Sequence, residues 1–242
     1  MARTDAGGYA HKGSQRQLQD YVNNAPSELN QQIFGAISSL PRSYGLRWVS
    51  PLMGKEEEEG YQEYSDAKFL IAVRQAELSF ELQRFWPSGG PSWDALAIVY
   101  TGGPPGVLLV EAKAHLGEIA SSCGAKDQIS IEKIKAGLDA TKTWLGADKR
   151  SDWYTQYYQS ANRLAHLYFL RQVAKVPAWL ANIYFVGDES HVPTSREDWD
   201  EKIAEVGRCL GLAKVSLPYT GSVFLAAKEI RTFNDAKDEN QT

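Results

Sequence analysis

Asp94, Glu111 and Lys113 are charged residues set at the ends of two strongly apolar runs. They lie in WDALAIVYTGGPPGVLLVEAKAH, residues 93–115, where Gly-Gly-Pro-Pro-Gly separates the runs. Each run holds seven or eight residues rich in Val, Ile, Leu and Tyr, which together with the break is the pattern of a β-hairpin. Side chains alternate across a strand with a period of two, so Val107, Leu109, Glu111 and Lys113 share one face. Leu108, Val110 and Ala112 share the other. An antiparallel hairpin returns the end of its second strand to the start of its first, which brings Asp94 beside Glu111 and Lys113. Charges are costly at the ends of such strands unless they are paired, solvated or bound to a metal. Two adjacent carboxylates repel, and a shared proton or cation relieves them. Mg²⁺ takes one or two carboxylates and keeps several waters. It can hold a phosphodiester oxygen and acidify a water. A lysine beside it can orient that water or offset the developing charge.

An Asp on one strand and Glu-Ala-Lys closing the next resembles the PD-(D/E)XK nuclease signature of restriction-endonuclease-like and RecB-type nucleases. Trp93 stands where that motif has Pro. The resemblance implies an αβββαβ core, here from residue 66 to about 187, and a divalent-metal-dependent nuclease that hydrolyses phosphodiester bonds. It implies Mg²⁺, with Mn²⁺ as a substitute, held by Asp94, Glu111 and Ala112. It implies Lys113 as the water-positioning group and nucleic acid as partner, DNA ahead of RNA, with a homodimer as a common assembly. The preceding helix in this family often adds a Glu, and Glu77, ahead of Glu81, takes that place. RecB-type members often carry a Gln on a later helix. In YQSANRLAHL, residues 158–167, Gln159, Asn162, Arg163 and His166 recur at helical spacing as one polar stripe. Gln159 and Arg163 are therefore supporting candidates. His115, continuing the face of Glu111 and Lys113, is another, although a loop or helix-capping role suits it better.

Bland readings stand beside these. Asp94 can be a turn residue after Ser-Gly-Gly-Pro-Ser, and Glu111 with Lys113 a surface ion pair of little energetic value. Glu77 and Glu81 lie between Arg74 and Arg84 on one helical stripe, as surface ion pairs do. The alternative function is a non-catalytic module on the same fold. A hydrolase of another small phosphorylated or acyl substrate is more remote.

These residues need elements to position them. The spacing predicts helices over 66–85, 127–146, 153–174 and 197–212, and strands over 178–188 and 221–230. In the first helix Ala67, Ile71, Leu78, Leu82 and Phe85 form the apolar stripe. The fold class expected is α/β, a central mixed sheet flanked by helices. Residues 1–26 read as a loose arm or short peripheral helix, 27–232 as one domain, and 233–242 as a frayed tail. The acidic run 55–60 reads as a solvated loop.

The 242 residues are 43% hydrophobic and 23% charged, ordinary for a soluble globular chain. No apolar run reaches the roughly 20 residues of a membrane span, and the N-terminus lacks a signal-peptide core, so a cytoplasmic location is expected. Cys123 and Cys209 form no CxxC pair, which argues against a zinc site. A net charge of −4 argues mildly against a general nucleic-acid grip, which is usually basic. The lysines around 126–150 are diluted by acids and make no basic groove.

Overall fold

The computed structural model describes residues 8–43, 45–53, 64–190 and 192–230; the acidic run 55–60 and the tail 233–242 lie outside them. The elements are helices α1 (Gly13–Asn24) and α2 (Pro26–Ala36), strand β1 (Leu46–Ser50), and helices α3 (Ala67–Ala72) and α4 (Ser79–Phe85). Strands β2 (Ala95–Val99) and β3 (Gly106–Lys113) follow, then α5 (Gln128–Leu145), α6 (Tyr158–Tyr168), β4 (Ala178–Val186), α7 (Arg196–Cys209) and β5 (Thr220–Ala226).

The five strands form one mixed sheet in the order β1-β2-β3-β4-β5. The first three pair antiparallel, and β3, β4 and β5 pair parallel. The expected hairpin is β2 and β3. Every residue of β2 is buried, and so are seven of the eight in β3, which suits strands covered on both faces. The period-two alternation divides them as expected. Leu96, Val107 and Leu109 join one apolar cluster with Trp86, Trp93, Ile134, Leu138 and Leu164, beneath α4, α5 and α6. Ala97, Leu108, Val110 and Ala112 join the opposite cluster with Leu18, Tyr21, Leu29 and Ile33, beneath α1 and α2.

Four expectations change. Strand β1 was not foreseen, because LRWVS is only five residues long and Arg47 and Ser50 interrupt its apolar residues. The helix expected over 66–85 is broken: α3 ends at Ala72, Arg74 takes a left-handed φ of 64°, and a 3-10 turn, Ala76–Leu78, precedes α4. The reason lies in the side chains. Phe69, Leu70 and Val73 are buried, opposite the stripe of Ala67 and Ile71, and Ile71 is 60% exposed. Leu82, on the expected stripe, is buried. One straight helix cannot bury both faces, and the break rotates one segment against the other. The helix expected from residue 153 starts at Tyr158, because Asp152 accepts from the backbone N–H groups of Tyr154 and Thr155 and closes a turn. It ends in a π-turn, Phe169–Val173.

Residues 13–24 are not a loose arm but the short helix that was the other expectation, and it is packed on the core rather than peripheral. They form α1, which buries Leu18, Tyr21 and Val22 against the sheet. Its polar residues are engaged too: Gln17 Nε2 donates to the Lys228 carbonyl, and Tyr21 donates to the Ala226 carbonyl. Replacing Leu18, fully buried, by Ala is expected to cost about 2–5 kcal/mol of stability in chemical denaturation. An unchanged midpoint would place this segment outside the folded core.

Candidate functional site

The hairpin register places Ala95 opposite Val110, and one step further sets Asp94 opposite Glu111. The Asp94 N–H donates to the Val110 carbonyl at 3.2 Å, which extends the ladder to the strand end. Asp94 Oδ2 then accepts from the Ala112 N–H at 2.8 Å. The Lys113 ammonium lies 2.6 Å from Glu111 Oε1. Asp94, Glu111, Ala112 and Lys113 are thus brought together as expected. They lie where β3 and β4 run parallel, with Glu111 beside Asn182 and Lys113 beside Tyr184. The carboxyl ends of parallel strands are where open α/β sheets bind ligands.

Glu111 is buried, and a buried carboxylate needs partners. Helix α6 supplies the strongest. Arg163 approaches Glu111 Oε2 with Nε at 2.7 Å and Nη2 at 2.6 Å. Nη2 also donates to the Ser92 carbonyl at 3.1 Å, and the guanidinium lies 5.7 Å from the Trp93 ring centroid. Arg163 therefore ties α6 to both β3 and the approach to β2. The stripe of Gln159, Asn162, Arg163 and His166 is no solvated face: Asn162, Arg163 and His166 are buried and Gln159 half-buried. His166 packs edge-on to Trp86 and Trp93, and burial lowers its pKa to about 4, so it is a neutral core residue.

The two carboxyls are driven apart. Burial and then the charge of Glu111 push Asp94 from 3.8 up to about 7. Burial would raise Glu111 as well, but Arg163 and then Lys113 outweigh it and hold Glu111 below its ordinary value. Lys113 is held above its ordinary value, since Glu111 and Asp94 overcome the opposing effect of burial. At neutral pH Glu111 is the firm anion and Asp94 the carboxyl that readily exchanges a proton.

An open cleft of about 440 Å³ lies over this group, lined by Asp94, Glu111, Lys113, Gln159 and Arg163 among others. His115 and Glu118 form one side, and Lys12, Gly13, Ser14 and Gln15 of the α1 start form another. Of the supporting candidates, Gln159, Arg163 and His115 therefore reach the cleft. His115 caps the short turn Leu116–Glu118 by accepting from the Gly117 N–H.

Glu77 and Glu81 do not reach it. Glu77 is exposed on the 3-10 turn, and Glu81 is exposed beside Arg84, Phe85 and Val173. The reason is topological: β1 comes before the 66–85 segment, and the helix that reaches the cleft is α1, ahead of β1. Glu118 was missed. Its Oε1 accepts from the N–H groups of Ala114 and His115, and its Oε2 from Ser14 Oγ. A histidine in the N-cap position is an unusual start for a capping box, and the Ser14 contact spans 104 positions, so local pattern gave no signal.

The donor set suits a magnesium ion in one respect and limits it in another. Two carboxylates converge, and Asp94 Oδ1 accepts no hydrogen bond among the described residues. No group of three or more His, Cys, Asp or Glu side chains among those residues is placed to share an ion. Mg²⁺ with one or two carboxylates and several waters is compatible with this.

Comparison with protein-family models, curated proteins and solved structures gives no match for this chain.

The raised Asp94 pKa sets a pH dependence. A carboxyl with a higher pKa folded than unfolded contributes stability that is fully present below its unfolded value, here 3.8. That contribution is lost as pH rises through about 7. Asp94→Asn lacks this loss, so its melting temperature relative to the parent protein is expected to climb between pH 5 and pH 8, without added metal. A difference that stays flat with pH would mean that Asp94 is an ordinary carboxylate.

Proposed function

We propose that this chain is a divalent-metal-dependent nuclease of the PD-(D/E)XK type, hydrolysing phosphodiester bonds of nucleic acid, with DNA the preferred substrate. The observation that carries the reading is the convergence of Asp94, Glu111 and Lys113 at one strand end beneath an open cleft. The succession of three antiparallel strands, helices and a parallel strand also agrees with an αβββαβ core, here preceded by α1 and α2 rather than by the 66–85 segment.

In this reading Asp94 and Glu111 hold Mg²⁺, or Mn²⁺ in its place. When bound, the ion supplies positive charge at a phosphoryl oxygen and acidifies a water. The protein does the rest. Asp94 gives up its proton readily near neutral pH and becomes the second anion. Arg163 keeps Glu111 ionised and fixes its orientation. Lys113, charged and at the cleft, orients the attacking water and offsets the charge that builds on the phosphate. The walls formed by the α1 start and by residues 115–118 confine the substrate.

One observation favours the second reading, a non-catalytic module on the same scaffold. No third acidic side chain among the described residues joins Asp94 and Glu111 as a ligand. Cleavage separates the two. Plasmid, linear duplex, single-stranded DNA and RNA are incubated with Mg²⁺ or Mn²⁺. The nuclease reading expects metal-dependent cleavage of at least one substrate, lost by about a hundredfold or more in Lys113→Ala and in Asp94→Ala. Cleavage undiminished in either variant would remove that residue from the mechanism, and no cleavage of any substrate would favour the module.

A further inference from the structure

Two cations share the Glu111 carboxylate, and they differ in freedom. Arg163 is fixed. Its Nε and Nη2 hold Oε2, Nη2 also holds the Ser92 carbonyl, and the guanidinium lies over Trp93. Lys113 stands 2.6 Å from the other oxygen, Oε1, which is sealed from solvent and has no partner besides this ammonium among the described residues. Among the described residues the Lys113 ammonium has no other ion-pair or hydrogen-bond partner. It also borders the open cleft. An ammonium on a four-carbon stem changes partner by a rotamer change, whereas a planar guanidinium docked on several acceptors does not.

A divalent ion drawing on both carboxylates needs an oxygen of Glu111. Arg163 closes Oε2, and Lys113 stands on Oε1. We propose that Lys113 gates the cation site: at rest it competes directly with the divalent ion for Glu111 Oε1, and an anionic phosphodiester entering the cleft draws it away. The inference rests on the metal-dependent nuclease reading and adds an order to it. Metal and phosphodiester then assist one another's binding, and by linkage the assistance is mutual. The same lysine that serves the reaction lowers the affinity of the empty cleft for metal. Removing it should abolish cleavage and strengthen metal binding.

Calorimetric titration of the full chain with Mn²⁺ alone, without nucleic acid, tests this. The parent protein is compared with Lys113→Met, Lys113→Gln and Lys12→Met, each checked for a cooperative melt. Lys12 lines the same cleft and carries the same charge, but it makes no contact with Glu111 among the described residues. Both Lys113 variants are expected to bind Mn²⁺ about tenfold more tightly or better, and Lys12→Met to stay within about twofold of the parent. Equal or weaker binding in the Lys113 variants would overturn the gate and leave the metal site standing. So would an equal gain in Lys12→Met, which would reflect net charge alone. If no folded form binds Mn²⁺ at millimolar concentration, the gate and the metal-dependent reading both fall.

Discussion

The carboxylate of Glu111, held between Arg163 and Lys113, is the interaction on which the rest of the site depends. An anion at the end of a strand as apolar as β3 is tolerable because two cations meet its two oxygens. Stripping one partner from a buried pair typically costs about 3–5 kcal/mol, since the remaining charge is left uncompensated. Through this pair Arg163 ties α6 to the end of β3. It also fixes the approach to β2, because the same guanidinium holds the Ser92 carbonyl and covers Trp93. Asp94, next in the chain, is thereby set against the end of β3.

The pairing also explains why two neighbouring carboxyls behave differently. Glu111 takes both cations and stays ionised. Burial first, and then the repulsion of Glu111, raise Asp94 to about 7, because the Lys113 charge and the Ala112 N–H offset only part of them. The result is one permanent anion and one that appears on demand. Such a pair suits a site that exchanges a proton for a divalent cation. The cleft above it is assembled from distant parts of the chain. Ser14 reaches Glu118, and the Gly13 N–H donates to Ser190 Oγ, so the start of α1 bridges the segments that follow β3 and β4.

What the sequence disclosed follows from how local each determinant is. The hairpin, its register and the shared face of Glu111 and Lys113 depend on strand alternation and a Gly/Pro break, and both are written within 23 residues. Arg163 was visible as one member of a polar stripe, but its partner lies 52 positions away and its role is tertiary. The break at Arg74 was hidden because two half-helices with opposed apolar faces look like one amphipathic helix when only one stripe is followed. Glu77 was assigned through the resemblance to the helix before the hairpin, whereas the helix that lines the cleft is α1, ahead of β1, and Glu77 is exposed outside it. The α1 segment was undervalued because its Gln and Asn content suggested exposure. In the fold Gln17 and Gln19 are fully buried and serve as hydrogen-bonding struts, Gln17 to Lys228 and Gln19 to the Ala10 N–H.

Anomalous diffraction from crystals of the full chain soaked in Mn²⁺ tests most directly whether Asp94 and Glu111 share a divalent ion. A single strong peak is expected between the Asp94 and Glu111 carboxylates, with the Lys113 ammonium displaced from Glu111 Oε1 and Arg163 still on Oε2. Clear density for the cleft with no manganese there, or a peak that leaves the Lys113–Glu111 pair intact, would contradict this expectation.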